Sequence, residues 1–135
     1  MKRLYSSVAI LLLLLFTVCQ TAVWAAPAKA VSLGKVRFSQ TQEKVRIVFD
    51  VDALPEYKVS HSENPAQIII DFANTVNRDA VKQTSLNDPV VSSVKVLETE
   101  AQKQRVVIDL KTDTMYKVFT LKNPNRVVID IIRSY

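Results

Sequence analysis

Apolar side chains recur at every second position in four stretches of this chain: Ile47-Phe49-Val51, Ile68-Ile70-Phe72, Val106-Ile108-Leu110 and Val127-Ile129-Ile131. A period of two sends successive side chains to opposite faces of an extended backbone, so each stretch predicts a strand with one buried face. The strands predicted around them cover 45–51, 67–72, 105–110 and 126–132. Four more segments, 36–38, 57–61, 94–97 and 116–121, are short and rich in branched and aromatic residues, as strands are. Asp52-Ala-Leu-Pro55 and Lys111-Thr-Asp-Thr114 interrupt the pattern, as do Asn64-Pro65 and Asn123-Pro124-Asn125. Proline presets its own backbone angle and asparagine tolerates tight turns, so these breaks predict turns. The polar stretch 73–89 reads as a connection, with one short helical turn expected around Asp79 to Lys82.

The second half of the pattern repeats the first. Shifted by 59 residues, Arg46 to Phe72 falls on Arg105 to Ile131 with ten of 27 positions identical and no gap. Tyr57-Lys58-Val59 meets Tyr116-Lys117-Val118, Asn64-Pro65 meets Asn123-Pro124, and Asp71 meets Asp130. A one-residue adjustment brings Val36-Arg37-Phe38 onto Val94-Lys95-Val96. Two repeats are too few for a stacked solenoid. The expected fold is an all-β sandwich of two symmetry-related sheets from an internal duplication of about 59 residues, its halves facing each other across twelve aliphatic and aromatic side chains.

The faces opposite those side chains carry charge. Arg46-Val48-Asp50, Arg105-Val107-Asp109 and Arg126-Val128-Asp130 each read Arg, apolar, Asp at alternate positions, and Gln67-Ile69-Asp71 differs only in its first member. Cross-strand ion pairing on a solvated sheet is one use of such stripes. The other is recognition of a polar glycan or peptide, since guanidinium takes carboxylates on two points and carboxylates accept from sugar hydroxyls. On that reading Val107 and Val128 supply apolar patches between the charges, and Tyr57 and Tyr116 offer ring faces. Arg126 follows the Asn-Pro turn directly, so bracing that turn is its alternative role.

The first residues are of another kind. Met1-Lys2-Arg3 is basic, an apolar run from Val8 to Val18 follows, and small residues Ala22, Ala25, Ala26 and Ala28 come next. This order is that of a secretory leader, with cleavage expected after Ala25 and cleavage after Ala28 as the second option. The apolar run is shorter than the ~20 residues of a spanning helix, so no membrane insertion is expected after cleavage. The expected division is a leader at 1–25, a short linker at 26–32 and one domain at 33–135. Cys19 would leave with the leader, and the remainder then holds no cysteine and no disulfide.

Charge and chemistry narrow the classes further. From Ala26 onward there are 16 Lys/Arg and 13 Asp/Glu, interleaved without a basic cluster, which disfavours nucleic acid as a partner. The single histidine, His61, has Thr120 at its repeat position and lacks the neighbours of a catalytic triad or a zinc site. One glycine, Gly34, excludes a glycine-rich phosphate loop. No cofactor and no enzymatic activity are expected.

The segment Tyr116-Lys-Val-Phe-Thr-Leu-Lys-Asn-Pro-Asn-Arg-Val-Val-Ile-Asp130 resembles the AMIN domain family, whose hallmark is an apolar strand, Asn-Pro-x-Arg, three apolar residues and Asp. Tyr57-Lys-Val followed by Asn64-Pro-Ala-Gln-Ile-Ile-Ile-Asp71 is a weaker version, and Leu86-Asn-Asp-Pro-Val-Val-Ser-Ser-Val94 is also similar to the family. The resemblance implies a β-sandwich module of the periplasm or envelope. It implies peptidoglycan as the ligand, and an amidase or a type IV pilus secretin component as the client. Expected ligand-binding residues are Arg105, Asp109, Asn123, Arg126, Asp130 and Tyr116, with a secondary face of Arg46, Asp50, Asn64 and Asp71. Gln67 departs from the motif arginine, which favours the second-repeat face. The chain ends at Tyr135 with the domain, so a free-standing module or an adaptor is expected. A module docking an envelope machine through a sheet edge or the Arg/Asp face is the rival expectation.

Overall fold

The computed structural model describes residues 29–78 and 82–133. The expected leader, and all but the last residue of the expected helical turn, lie outside them. The described chain is all β: β1 (Val31–Gln40), β2 (Lys44–Val51), β3 (Glu56–Glu63), β4 (Ala66–Ala73), β5 (Thr75–Asn77), β6 (Gln83–Ser85), β7 (Val91–Glu100), β8 (Lys103–Leu110), β9 (Tyr116–Leu121) and β10 (Arg126–Ile132). The eight strands anticipated from the hydrophobic pattern are present. β5 and β6 are additional, cut from the polar connection. β1 begins before the legible 36–38 stretch and takes Val31 and Ser32 from the linker, because Val31 and Leu33 are drawn into the core.

Two five-stranded sheets form the sandwich, ordered β5-β1-β2-β10-β9 and β3-β4-β8-β7-β6. Here the expectation of two facing halves is corrected. Neither repeat makes a sheet by itself. β2 of the first repeat pairs antiparallel with β10 of the second, and β4 of the first with β8 of the second. The central ladder of each sheet therefore joins residues from different repeats. Sequence neighbours pair within hairpins, but which hairpins then share a sheet depends on how their apolar faces close over one core.

The core lies where expected. Eleven of the twelve anticipated side chains are buried, with Ile47, Phe49, Ile68, Ile70, Val106, Ile108, Val127, Ile129 and Ile131 fully so. Leu110 is half-buried against the same cluster. Phe49 and Phe72 meet edge to face across the two sheets, with centroids 6.5 Å apart. Each fully buried large apolar side chain contributes roughly 1.5–3 kcal/mol, so this layer dominates stability. Gly34 sits in the β1 bulge, where an added Cβ would lie 3.1 Å from the Asp50 carbonyl oxygen.

One polar knot crosses between the sheets. Asp88, just before β7, has a wholly buried side chain. It accepts from the backbone N–H of Val90 at 2.8 Å and Val91 at 3.0 Å, from Gln40 Nε2 at 3.0 Å, and from the Arg133 guanidinium. It thereby ties the end of β1 and the exit of β10 to the start of β7. Burial pushes the Asp88 carboxyl up, but the two N–H donors, Arg133 and Gln40 outweigh it and hold it below the usual carboxylate range.

Candidate functional site

The Arg/Asp stripes do face outward, and their charges are used against each other. In the β2–β10 register Arg46 stands opposite Asp130. Arg46 Nε donates to Asp130 Oδ1 at 2.8 Å and Nη2 to Oδ2 at 2.9 Å, with Lys44 Nζ at 3.4 Å. In the β4–β8 register Arg105 stands opposite Asp71 and makes the same fork, at 2.7 and 3.3 Å. Arg37 pairs with Asp50 at 2.7 Å on one sheet, and Lys95 with Asp109 at 3.1 Å on the other. Gln67 and Ser93 complete Asp109 at 2.8 and 2.9 Å. Strands of opposite direction place the Arg end of one stripe beside the Asp end of the next, which produces the Arg46–Asp130 and Arg105–Asp71 forks.

These contacts set the carboxylates' acidity. The Arg46 fork, reinforced by Lys44, lowers Asp130 against a smaller opposing effect of burial. For Asp109 burial acts upward and is the largest single influence, yet Gln67, Ser93 and Lys95 together leave it lowered.

The structure does not bring the expected binding residues together. Arg105 and Asp109 lie on the outer face of the β3-β4-β8-β7-β6 sheet; Arg126 and Asp130 lie on the outer face of the other sheet, and Asn123 is on that sheet's β9–β10 turn. They occupy opposite sides of the sandwich because the repeats are interlaced. Arg46 and Asp50 join the Arg126 and Asp130 side, and Asp71 joins Arg105 and Asp109. Asn64 lies in the β3–β4 turn, well along the strand from Asp71.

Three residues have a different setting from that anticipated. Arg126 bends back onto its own turn, donating from Nη1 to the Pro124 carbonyl at 2.7 Å and the Lys122 carbonyl at 3.4 Å. Turn bracing is thus its observed role, and Asp50 opposite takes Arg37 in its place. Tyr116 stands opposite Ile131, on the core side of β9, and meets His61 with ring centroids 6.1 Å apart. Tyr57 likewise packs inward, 6.2 Å from the Phe72 ring. The valines meant as exposed patches are covered, Val128 being 1% and Val107 9% exposed. Long charged side chains lying across the sheet shield them.

Residues missed in the sequence give the two faces their difference. Phe119 of β9 lies beside Val128, with the Arg46 guanidinium 5.8 Å and the Lys117 ammonium 5.5 Å from its ring centre. Phe119 and Lys44 help close over the Arg46–Asp130 fork, leaving the Asp130 side chain only 8% exposed. At the repeat position of Phe119 stands Ser60. The Asp71 side chain beside it is 41% exposed. A groove of about 490 Å³ opens there, lined by Glu56, Lys58, Asp71, Ala73, Lys103 and Arg105 among others. Period-two parity places these side chains outward, but the sequence alone does not say that β3, β4 and β8 are neighbours.

Among the described residues no group of three or more His, Cys, Asp or Glu is placed to hold a metal ion. His61 is exposed at the sandwich rim, with the Tyr116 hydroxyl 3.4 Å from its Nδ1.

Two overlapping parts of the chain, residues 35–115 and 98–135, match the family model described as AMIN domain. Among curated proteins the chain is similar to the N-acetylmuramoyl-L-alanine amidase AmiC of Neisseria meningitidis serogroup B (strain ATCC BAA-335 / MC58). The two are 25% identical over 115 residues, covering 79% of this chain and 28% of the amidase. The chain spans less than a third of that relative's length.

Proposed function

Because this chain belongs to the AMIN domain family, we propose that it is a non-catalytic targeting module that binds peptidoglycan in the cell envelope. The observation that carries this reading is the match of one family model to residues 35–135 in two overlapping parts, in a chain similar to a protein named as an N-acetylmuramoyl-L-alanine amidase. That linkage belongs to the wall polymer, and an amidase that cuts it gains from a domain that holds to the same polymer. The leader-like first residues agree with an exported protein.

The geometry supports a binding role. Interlocked ion pairs fix the outer side chains on two rigid sheets, so little rotamer freedom remains to be lost on docking. A polymer lying across such a face meets preorganised donors and acceptors. Sedimentation with purified sacculi tests the reading: the chain is expected to pellet with them and to stay soluble without them. A chain that remains in the supernatant at low salt overturns wall binding.

A second reading has its own observation. β3 and β9 are the outermost strands on one side of the sandwich and stand next to each other, as the His61–Tyr116 contact shows, whereas the opposite edges end in the short β5 and β6. Two long open edges suit addition of an extended segment from a partner such as an amidase or a secretin component. Lys58 and Lys117 at mid-strand weaken indiscriminate edge pairing. Capture of the partner with sacculi absent distinguishes this reading from the first.

A further inference from the structure

We propose that the groove over Ala73 binds a zwitterion, a group carrying an ammonium and a carboxylate close together, and that in the wall this group is the diamino-acid end of a peptide stem. The second half of the proposal rests on the wall-binding reading; the first does not.

The groove is built by β3, β4 and β8, with Thr99 and Glu100 at the end of β7 beyond the β8 wall. β4 forms its floor with Asp71 and Ala73. β3 forms one wall with Glu56 and Lys58, and β8 the other with Lys103 and Arg105. Lys58, Asp71 and Arg105 stand in one row across the sheet. Glu56 stands opposite Ala73 in the next row, and Lys103 lies one step beyond the Phe72–Gln104 pair. With strands ~4.8 Å apart, the walls are separated by roughly 10 Å. A methyl group is all that rises between them at Ala73.

The matched place on the other sheet presents hydrocarbon instead of charge, and the repeat shows why. Ala73 corresponds to Ile132, Glu56 to Met115, Ser60 to Phe119 and Lys103 to Lys44. Ile132 and Met115 fill the floor and one wall with hydrocarbon, and Phe119 covers the arginine. Lys44 turns onto Asp130 at 3.4 Å. Lys103 instead reaches Glu100 at 3.3 Å, a pair with both side chains more than half exposed and therefore easily exchanged for a ligand. Three substitutions at matched positions, Ala73 for Ile132, Glu56 for Met115 and Ser60 for Phe119, each make one site less bulky or more polar than its counterpart, while the lysine common to both points elsewhere.

The lining dictates the ligand. Asp71 is already engaged by the Arg105 Nε and Nη2. Lys103 and the remaining guanidinium edge of Arg105 put cationic donors on the β8 wall, suited to a carboxylate. Glu56 across the groove has no salt bridge among the described residues and suits an ammonium. A ligand with one charge alone leaves half of the lining unmatched. The meso-diaminopimelate side chain carries both charges on one carbon, whereas a lysine side chain has only the ammonium.

The test is an NMR titration of the ¹⁵N-labelled chain with the tripeptide L-alanyl-γ-D-glutamyl-meso-diaminopimelate and with its lysine-ended analogue. Amide shifts are expected to concentrate in 56–58, 71–73 and 103–105, with the lysine analogue binding at least fivefold more weakly. Ala73→Ile fills the floor without removing a charge and is expected to weaken binding at least tenfold; isoleucine suits an exposed strand position, so folding is retained. Glu56→Gln is expected to weaken the diaminopimelate tripeptide by a similar factor. Ile132→Ala on the other sheet leaves binding unchanged. No shifts in the groove, or equal binding by Ala73→Ile, overturns the groove. Sacculi that pellet the chain while the tripeptide is silent overturn the groove and leave wall binding standing. Tripeptide binding without sacculus binding keeps the zwitterion site and overturns its assignment to the wall.

Discussion

Arg46 and Asp130, 84 positions apart in the chain, are joined by a two-point hydrogen bond at 2.8 and 2.9 Å across the β2–β10 ladder. Arg105 and Asp71 repeat the arrangement across β8 and β4. The chemistry is equal and the setting is not: one carboxylate is covered, the other open to the groove.

That contrast predicts unequal costs. Arg46→Ala leaves the covered Asp130 carboxylate with Lys44 alone and is expected to cost about 1–3 kcal/mol, the typical penalty for a buried acceptor losing its partner. Arg105→Ala exposes Asp71 to water that already reaches it, so its loss is expected to be smaller. Urea unfolding of both variants measures the order, and a greater loss for Arg105→Ala contradicts it.

Asp88 is expected to be the most sensitive polar position outside the hydrophobic layer. Asp88→Ala removes the acceptor shared by Val90, Val91, Gln40 and Arg133, and strands a guanidinium that is itself largely covered. Breaking a buried pair from one side costs about 3–5 kcal/mol. A midpoint shift of that size in urea, with an unchanged slope, is the expected result; a variant as stable as the parent contradicts the role given to the knot.

Acid should unfold the domain through its paired carboxylates. Asp130, Asp109 and Asp88 are all held below their ordinary value of 3.8 in the folded chain. A depressed folded value means that the unfolded chain binds protons first. The stabilisation is complete above the ordinary carboxylate range and disappears as pH falls through the lowered values. The melting temperature is expected to be nearly level from pH 7 to about 5 and to drop below about 4. In Asp130→Asn the acid drop should be shallower, and an equally steep drop shows that Asp130 is not among the groups responsible.

Arg126 belongs to the turn, so its removal should act on stability and spare recognition. Arg126→Ala gives up the bonds to the Pro124 and Lys122 carbonyls. A loss of about 0.5–1.5 kcal/mol is expected, with sacculus sedimentation unchanged at a temperature where the variant is folded. A folded variant that no longer pellets restores Arg126 as a ligand contact.

The sequence by itself determined eight of the ten strands and the inner faces of the four that carry the core. Alternation at Ile47-Phe49-Val51 and its three counterparts names the core correctly because burial of one face imposes a period of two on any strand that has it. It also displayed the repeat, the Asn-Pro turns and the outward direction of the Arg/Asp stripes, and these sufficed for the family. Which stripe meets which was decided only by tertiary structure. Pairing of β2 with β10 and of β4 with β8 is a long-range choice, made where two hairpins close over a common core, and no local pattern encodes it. That choice set Arg105 and Asp109 on the side opposite Arg126 and Asp130. It turned Tyr116 inward and consumed most of the outward charge in cross-strand pairs. It also brought Glu56, Ala73 and Lys103, three unremarkable surface residues along the chain, to the walls and floor of a single groove.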